Sequence, residues 1–141
     1  MLWSMNMDAQ CVGGQVLFSN SMDKASLCLS DVQVSGFNVY NTSFAPTRYA
    51  YALTDLNNQI LSLHDTNNIS FDNLIEGTYY LYGFSYLGDI TANLGDGVYS
   101  SQFSTSCWQI SYNRIEIKLA TPRSNEIRTS DLQTSKFLCL N

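Results

Sequence analysis

Charge is scarce in this sequence. Asp, Glu, Lys and Arg make up 13% of its 141 residues, against about a quarter in ordinary globular proteins. Bases are the scarcer sign, 7 against 12 acids, and Lys and Arg occur at isolated positions such as Arg114 and Lys118 rather than in a cluster. Phosphate binding needs a basic face, so nucleic acid is excluded as an expected partner. Long apolar runs are also missing. No stretch approaches the roughly 18 residues of a membrane-spanning helix, so no membrane span is expected. The opening MLWSMNMDAQ lacks the basic start and apolar core of a signal peptide, which reads as a mature chain or fragment, or as a cytoplasmic protein. A single histidine, His64, and four cysteines without C-x-x-C spacing disfavour a zinc site.

What the chain does have is 45% apolar residues and nine tyrosines among many Ser, Thr and Asn. That fraction argues against disorder, and the length suits one domain with a real core. Hydroxyl-rich, weakly charged composition suits strands with one wet face. The cysteines Cys11, Cys28, Cys107 and Cys139 are even in number and widely spaced, which points to disulfides in an exported protein. Spacing alone leaves all three full pairings open.

Alternation and turn signals predict short strands and no amphipathic helix. The stretch 15-QVLF-18 follows Gly13-Gly14. In 32-VQVSGFNVY-40, Gly36 marks a bulge where the alternation changes side. Residues 49-YAYALTDLNNQILSL-63 read as a hairpin: a half-buried strand with Tyr49, Tyr51 and Leu53 on one face, then a polar turn over Asp55 to Asn58. That turn is expected to be exposed and to set register, with no chemistry. After 69-ISF-71 comes 78-TYYLYGFSY-86, apolar on both faces and therefore central. The last strands are 107-CWQIS-111 and 114-RIEIKL-119, the latter with Ile115, Ile117 and Leu119 inward. The expected fold is an all-β, immunoglobulin-like antiparallel β-sandwich of seven or eight strands, with a core that includes Leu53, Leu81, Phe84, Ile115 and Ile117. Residues 1–10 form an N-terminal extension, 11–119 the domain, and 120–141 a C-terminal tail. The tail's apolar end, Phe137, Leu138 and Leu140 around Cys139, reads as an interaction strand.

Candidate chemistry is thin. His64, beside Asp65, is the one imidazole available as a base for Cys28 or a serine, but no nucleophile motif accompanies it. Asp72, Asp89 and Asp96 sit in Gly- or Asn-rich loops without calcium-loop spacing, and read as turn residues capping local N–H groups. Trp3, Trp108 and the tyrosines offer faces for a sugar ring, yet alternation places the strand tyrosines in the core and Trp108 near a disulfide. No catalytic, cofactor or metal site is expected.

Four pieces then stand in one order: Cys11-x-Gly13-Gly14, 53-LTDLNNQIL-61, 77-GTYYLYGFSY-86 and 107-CWQISYNRIEI-117. Together, from Cys11 to about Leu119, they resemble a repeated module of very large surface proteins in gliding, type IX secreting Bacteroidetes bacteria. The resemblance implies an extracellular, non-enzymatic β-sandwich serving as a structural or adhesive unit, with neighbouring modules or subunits as partners. A carbohydrate-binding module and an accessory subunit of a secretion or surface assembly are the alternatives. It also implies a Cys11–Cys107 disulfide. Asn58 departs from the hairpin glycine of the pattern, and Tyr79 stands where many members carry the cysteine that would pair with Cys28. Asn also enters the left-handed region, so Asn58→Gly is expected to be neutral or mildly stabilising.

Overall fold

The polar alternation of 115-IEIKLA-120 and the double-faced apolar run of 77-GTYYLYGFSY-86 make the two strands around which the molecule is built. The computed structural model describes residues 11–18, 22–29, 36–44 and 47–121. All nine elements named among them are strands: β1 (Val16–Phe18), β2 (Lys24–Cys28), β3 (Phe37–Asn41), β4 (Arg48–Thr54), β5 (Ile60–His64), β6 (Asn68–Ile69), β7 (Gly77–Tyr86), β8 (Trp108–Ile110) and β9 (Ile115–Ala120). They form two sheets in a sandwich-like arrangement. A small one has the order β1-β3-β6, and a large one the order β2-β9-β7-β4-β5, with β8 also paired to β7.

β7 is central, as its composition requires. Seven of its residues, from Tyr80 to Tyr86, lie against β4. Its other edge is shared, with Gly77 to Leu81 against β9 and Phe84 to Tyr86 against β8. Two features depart from the expected antiparallel sandwich of seven or eight strands. Nine strands are present among the described residues, and β2 runs parallel to β9 over the full register Lys24↔Glu116 to Cys28↔Ala120. β2 escaped the sequence reading because Lys24, Ser26 and Cys28 leave only Ala25 and Leu27 as its inward residues, too small a signal for a strand. The expected bulge in 32–40 also changes form. Gly36 takes a left-handed φ of 76° just before β3, whose Phe37 and Val39 turn inward; residues 32–35 lie outside the described residues.

Two cores sit on opposite faces of the large sheet. Between the sheets, Val16, Phe37, Val39, Ile69 and Phe71 meet Tyr51, Leu53, Tyr79, Leu81, Ile115, Ile117 and Leu119. On the outer face, Ala50, Ala52, Ile60, Tyr82, Phe84 and Tyr86 are covered by Ala92, Val98 and Phe103 from the connection 87–107. Leu53, Leu81, Phe84, Ile115 and Ile117 are all buried, as expected, but Phe84 belongs to the outer core. The same layer corrects the reading of β4 as half-buried. Its second face carries Ala50, Ala52 and Thr54, which are small because the connection packs on them, and all are buried.

The motif Cys11-x-Gly13-Gly14 now has a physical reason. A side chain at Gly13 would collide with the Ile110 carbonyl, and Gly14 takes a φ of 60°. Gly13 N donates to Gln109 Oε1 (2.7 Å), Tyr49 Oη donates to Gly13 O (2.6 Å), and Tyr112 N donates to Gly14 O (2.7 Å). Asn113 then uses its side chain as a strand partner for Val16, accepting from Val16 N at 2.8 Å and donating to Val16 O at 2.9 Å. Cys11 and Cys107 are disulfide-bonded with Cα atoms 5.9 Å apart. Closing 96 residues of separation, the bond removes unfolded-state freedom equivalent to about 4 to 5 kcal/mol in the chain-entropy model.

Candidate functional site

The hairpin 53-LTDLNNQIL-61 places the first cluster. Asp55 Oδ1 accepts from the N–H groups of Asn57 (2.8 Å) and Gln59 (3.0 Å), so the carboxylate organises its own turn. Asn58 sits at φ 63°, in the left-handed region it tolerates. Its side chain, however, is committed to the interior. Tyr82 Oη donates to Asn58 Oδ1 at 2.5 Å, and the Arg114 guanidinium reaches the same oxygen at 3.5 Å. Arg114 also donates to Tyr82 Oη (3.0 Å) and lies 3.6 Å from the centre of the Tyr80 ring, a cation over an aromatic face. Tyr99, from the outer connection, donates to Tyr82 Oη at 3.3 Å and meets its ring edge-on at 5.6 Å. Burial, with the Tyr99 hydrogen bond, pushes the Tyr82 phenol up to about 12, against the opposing pull of Arg114. The hydrogen bond to Tyr82 in turn holds the Arg114 guanidinium charged.

The turn therefore does more than set register. The tip is exposed at Leu56, but Asn58 ties the hairpin to β7, to the start of β9 and to the outer connection. Val98 N donates to Asn58 O at 2.8 Å. Arg114, Tyr80 and Tyr99 were not singled out from sequence as a group. Their meeting with Asn58 depends on segments brought together from four separate parts of the chain.

A second place lies at the edge of the sandwich. A bulge between Leu53 and Thr54 shifts the β4–β5 register, so Ser62 and His64 pair with Leu53 and Tyr51 and share the face that looks toward the small sheet. Ser62 Oγ and His64 Nε2 are 2.8 Å apart. Both line a cavity of about 170 Å³ with Ser70, Asp72 and three leucines. Burial holds the His64 imidazole below its usual range, against the pull of Asp65, so it is neutral at pH 7 and serves as a hydrogen-bond partner. Cys28, considered beside it as a nucleophile, is disulfide-bonded and has no thiol to activate.

Cys11 and Cys107 hold each other, while Cys139, Phe137, Leu138, Leu140 and Trp3 lie outside the described residues. Trp108 is exposed at 37% rather than packed away. The strand tyrosines Tyr51, Tyr79, Tyr82 and Tyr86 are core residues. Asp96 Oδ2 accepts from Asn93 N at 3.1 Å, the turn role expected of it. Among the described residues no three His, Cys, Asp or Glu side chains gather as a metal site would require, and no helix is long and apolar enough to cross a membrane. No family model, curated protein or solved structure matches the chain.

Proposed function

We propose that this chain is an extracellular, non-enzymatic module of a cell-surface protein or surface filament, immunoglobulin-like in build, that works through contact with neighbouring modules or subunits. The observation behind this reading is the state of the sheet edges. Among the described residues β2 ends the large sheet and β6 the small one, each paired with one neighbouring strand, whereas the outer side of β5 is met by the segment around Gly95 to Gly97 and that of β1 by Asn113. An unpaired edge offers backbone donors and acceptors to a strand from another chain. The Cys11–Cys107 bond supports an oxidising compartment. The segment 122–141, with Phe137, Leu138 and Leu140, is the proposed contribution to a neighbour.

Two measurements test this. Protease shaving of intact cells should release the linked Cys11 and Cys107 peptides; recovery only from the cytosol, with both thiols free, would remove the extracellular reading. Truncation after Thr121 is compared with a full-length Cys28→Ser/Cys139→Ser chain, so that loss of the Cys28 bond is matched; it should leave the thermal midpoint of that reference unchanged and weaken association with adjoining modules in sedimentation velocity. Unchanged association would discard the tail as the contact.

A further inference from the structure

The outer connection 87–107 does more than cover Tyr82, Phe84 and Tyr86. It encloses an open cavity of about 420 Å³ lined by Thr91, Asp96, Gly97, Ser100, Ser101 and Gln102, a size within the roughly 300–1,000 Å³ of small-molecule sites. The floor is pinned to β5. Ile60 N donates to Asp96 O at 2.8 Å, Gly95 N donates to Ile60 O at 2.7 Å, and Gly97 bridges to Gln59.

The hydrogen-bonding account of the lining decides what it can take. Thr91 Oγ1 gives its proton to Gln102 O (2.7 Å), and Ser101 and Ser100 give theirs to Gly97 O (2.6 and 3.3 Å). The Gln102 amide nitrogen donates to Ser104 O at 3.1 Å. The three hydroxyl protons are thus spent within the protein, and one N–H of the Gln102 amide remains. What the lining side chains leave for a ligand is mainly lone pairs, on three hydroxyl oxygens, Gln102 Oε1 and the Asp96 carboxylate, whose Oδ2 is engaged by Asn93 N. No Lys, Arg or His lines the space. Such a lining repels phosphates and carboxylates and receives a molecule rich in O–H donors. Tyr99, between Gly97 and Ser100, is 69% exposed and is held in place by Tyr82. It is an exposed aromatic ring on the same loop as the lining residues Gly97 and Ser100, the kind of surface on which apolar C–H faces pack.

We propose that this groove is a binding site for a neutral saccharide, with Asp96 and Gln102 accepting from ring hydroxyls and Tyr99 packing beside the ring. The site is independent of the β2 and β6 edges and of the segment 122–141, so its failure would leave the contact reading standing. The test is a ¹H–¹⁵N NMR titration of the full chain with methyl glucoside, methyl galactoside, N-acetylglucosamine and cellobiose, each against parallel titrations with calcium chloride and spermidine. At least one sugar should give saturable shifts confined to Thr91, Asp96, Ser100, Ser101 and Gln102. Gln102→Ala should weaken that binding tenfold or more at an unchanged thermal midpoint, and Tyr99→Ser, which also removes the contact with Tyr82, should weaken it as much at temperatures where the variant remains folded. If Gln102→Ala loosens the connection, Asp96→Asn, which keeps an oxygen for Asn93 N, supplies the second reading. Shifts from calcium or spermidine alone, sugar shifts elsewhere on the domain, or no sugar response would each overturn the proposal.

Discussion

Replacing Asn58 by glycine separates a turn that merely reverses the chain from one that also anchors it. On turn chemistry alone the substitution is neutral or favourable, because glycine enters a φ of 63° without steric cost. Asn already tolerates that region, so the gain is at most a few tenths of a kcal/mol, and glycine's freer unfolded chain offsets part of it. Against this stands the Tyr82 hydroxyl. It accepts from Arg114 and Tyr99, but its own proton goes to Asn58 Oδ1 at 2.5 Å. Tyr82 is 2% exposed, so the proton loses its partner where water reaches poorly, at about 1–3 kcal/mol. The net expectation is a loss of about 1–2 kcal/mol, a drop in Tm of roughly 3–8 °C for a chain of this size. Thermal and urea unfolding measure it. Tyr82→Phe supplies the control: in that background Asn58→Gly should cost only a few tenths of a kcal/mol. An Asn58→Gly protein that melts at or above the parent temperature, or an equal cost in both backgrounds, would refute the reasoning.

Gly83→Ala should destabilise by about 1–3 kcal/mol through overpacking, since the added carbon meets the Tyr49 hydroxyl and Val16 in the inter-sheet core; denaturant midpoints report it. His64 is held neutral by burial, so the folded state binds fewer protons than the unfolded one. Stability is then full above about pH 6.5 and falls as pH drops through the lowered folded value. Thermal midpoints between pH 7 and 5 should show that slope, and His64→Gln should flatten it. Non-reducing digestion should yield Cys11 joined to Cys107; with those two spent and Cys28 also bonded, the Cys28 peptide is expected on the only cysteine left in the sequence, Cys139. Cys11→Ser/Cys107→Ser should lower stability by several kcal/mol, up to about 4 to 5.

Local pattern by itself determined the strands whose faces differ strongly. Ile115, Ile117 and Leu119 point inward because they alternate with Glu116 and Lys118, and β7 is central because both its faces are apolar. The Cys11–Cys107 pairing was legible only through the ordered motifs that resemble a surface module, since spacing left every pairing open. Tertiary structure alone decided the rest. β2 exists because β9 lends it a parallel partner, support that its own short side chains do not advertise. The outer core forms because the irregular connection 87–107 folds back over β4 and β7, and a loop without periodicity carries no sign of the face it covers. The same holds for the Asn58, Tyr82, Tyr99 and Arg114 cluster and for the groove beside it. Each residue looks ordinary in its own segment, and the cluster's chemistry appears only when hydrogen bonds join residues 17 to 56 positions apart. Alternation reports which face is buried, but only the folded chain says what is buried against it.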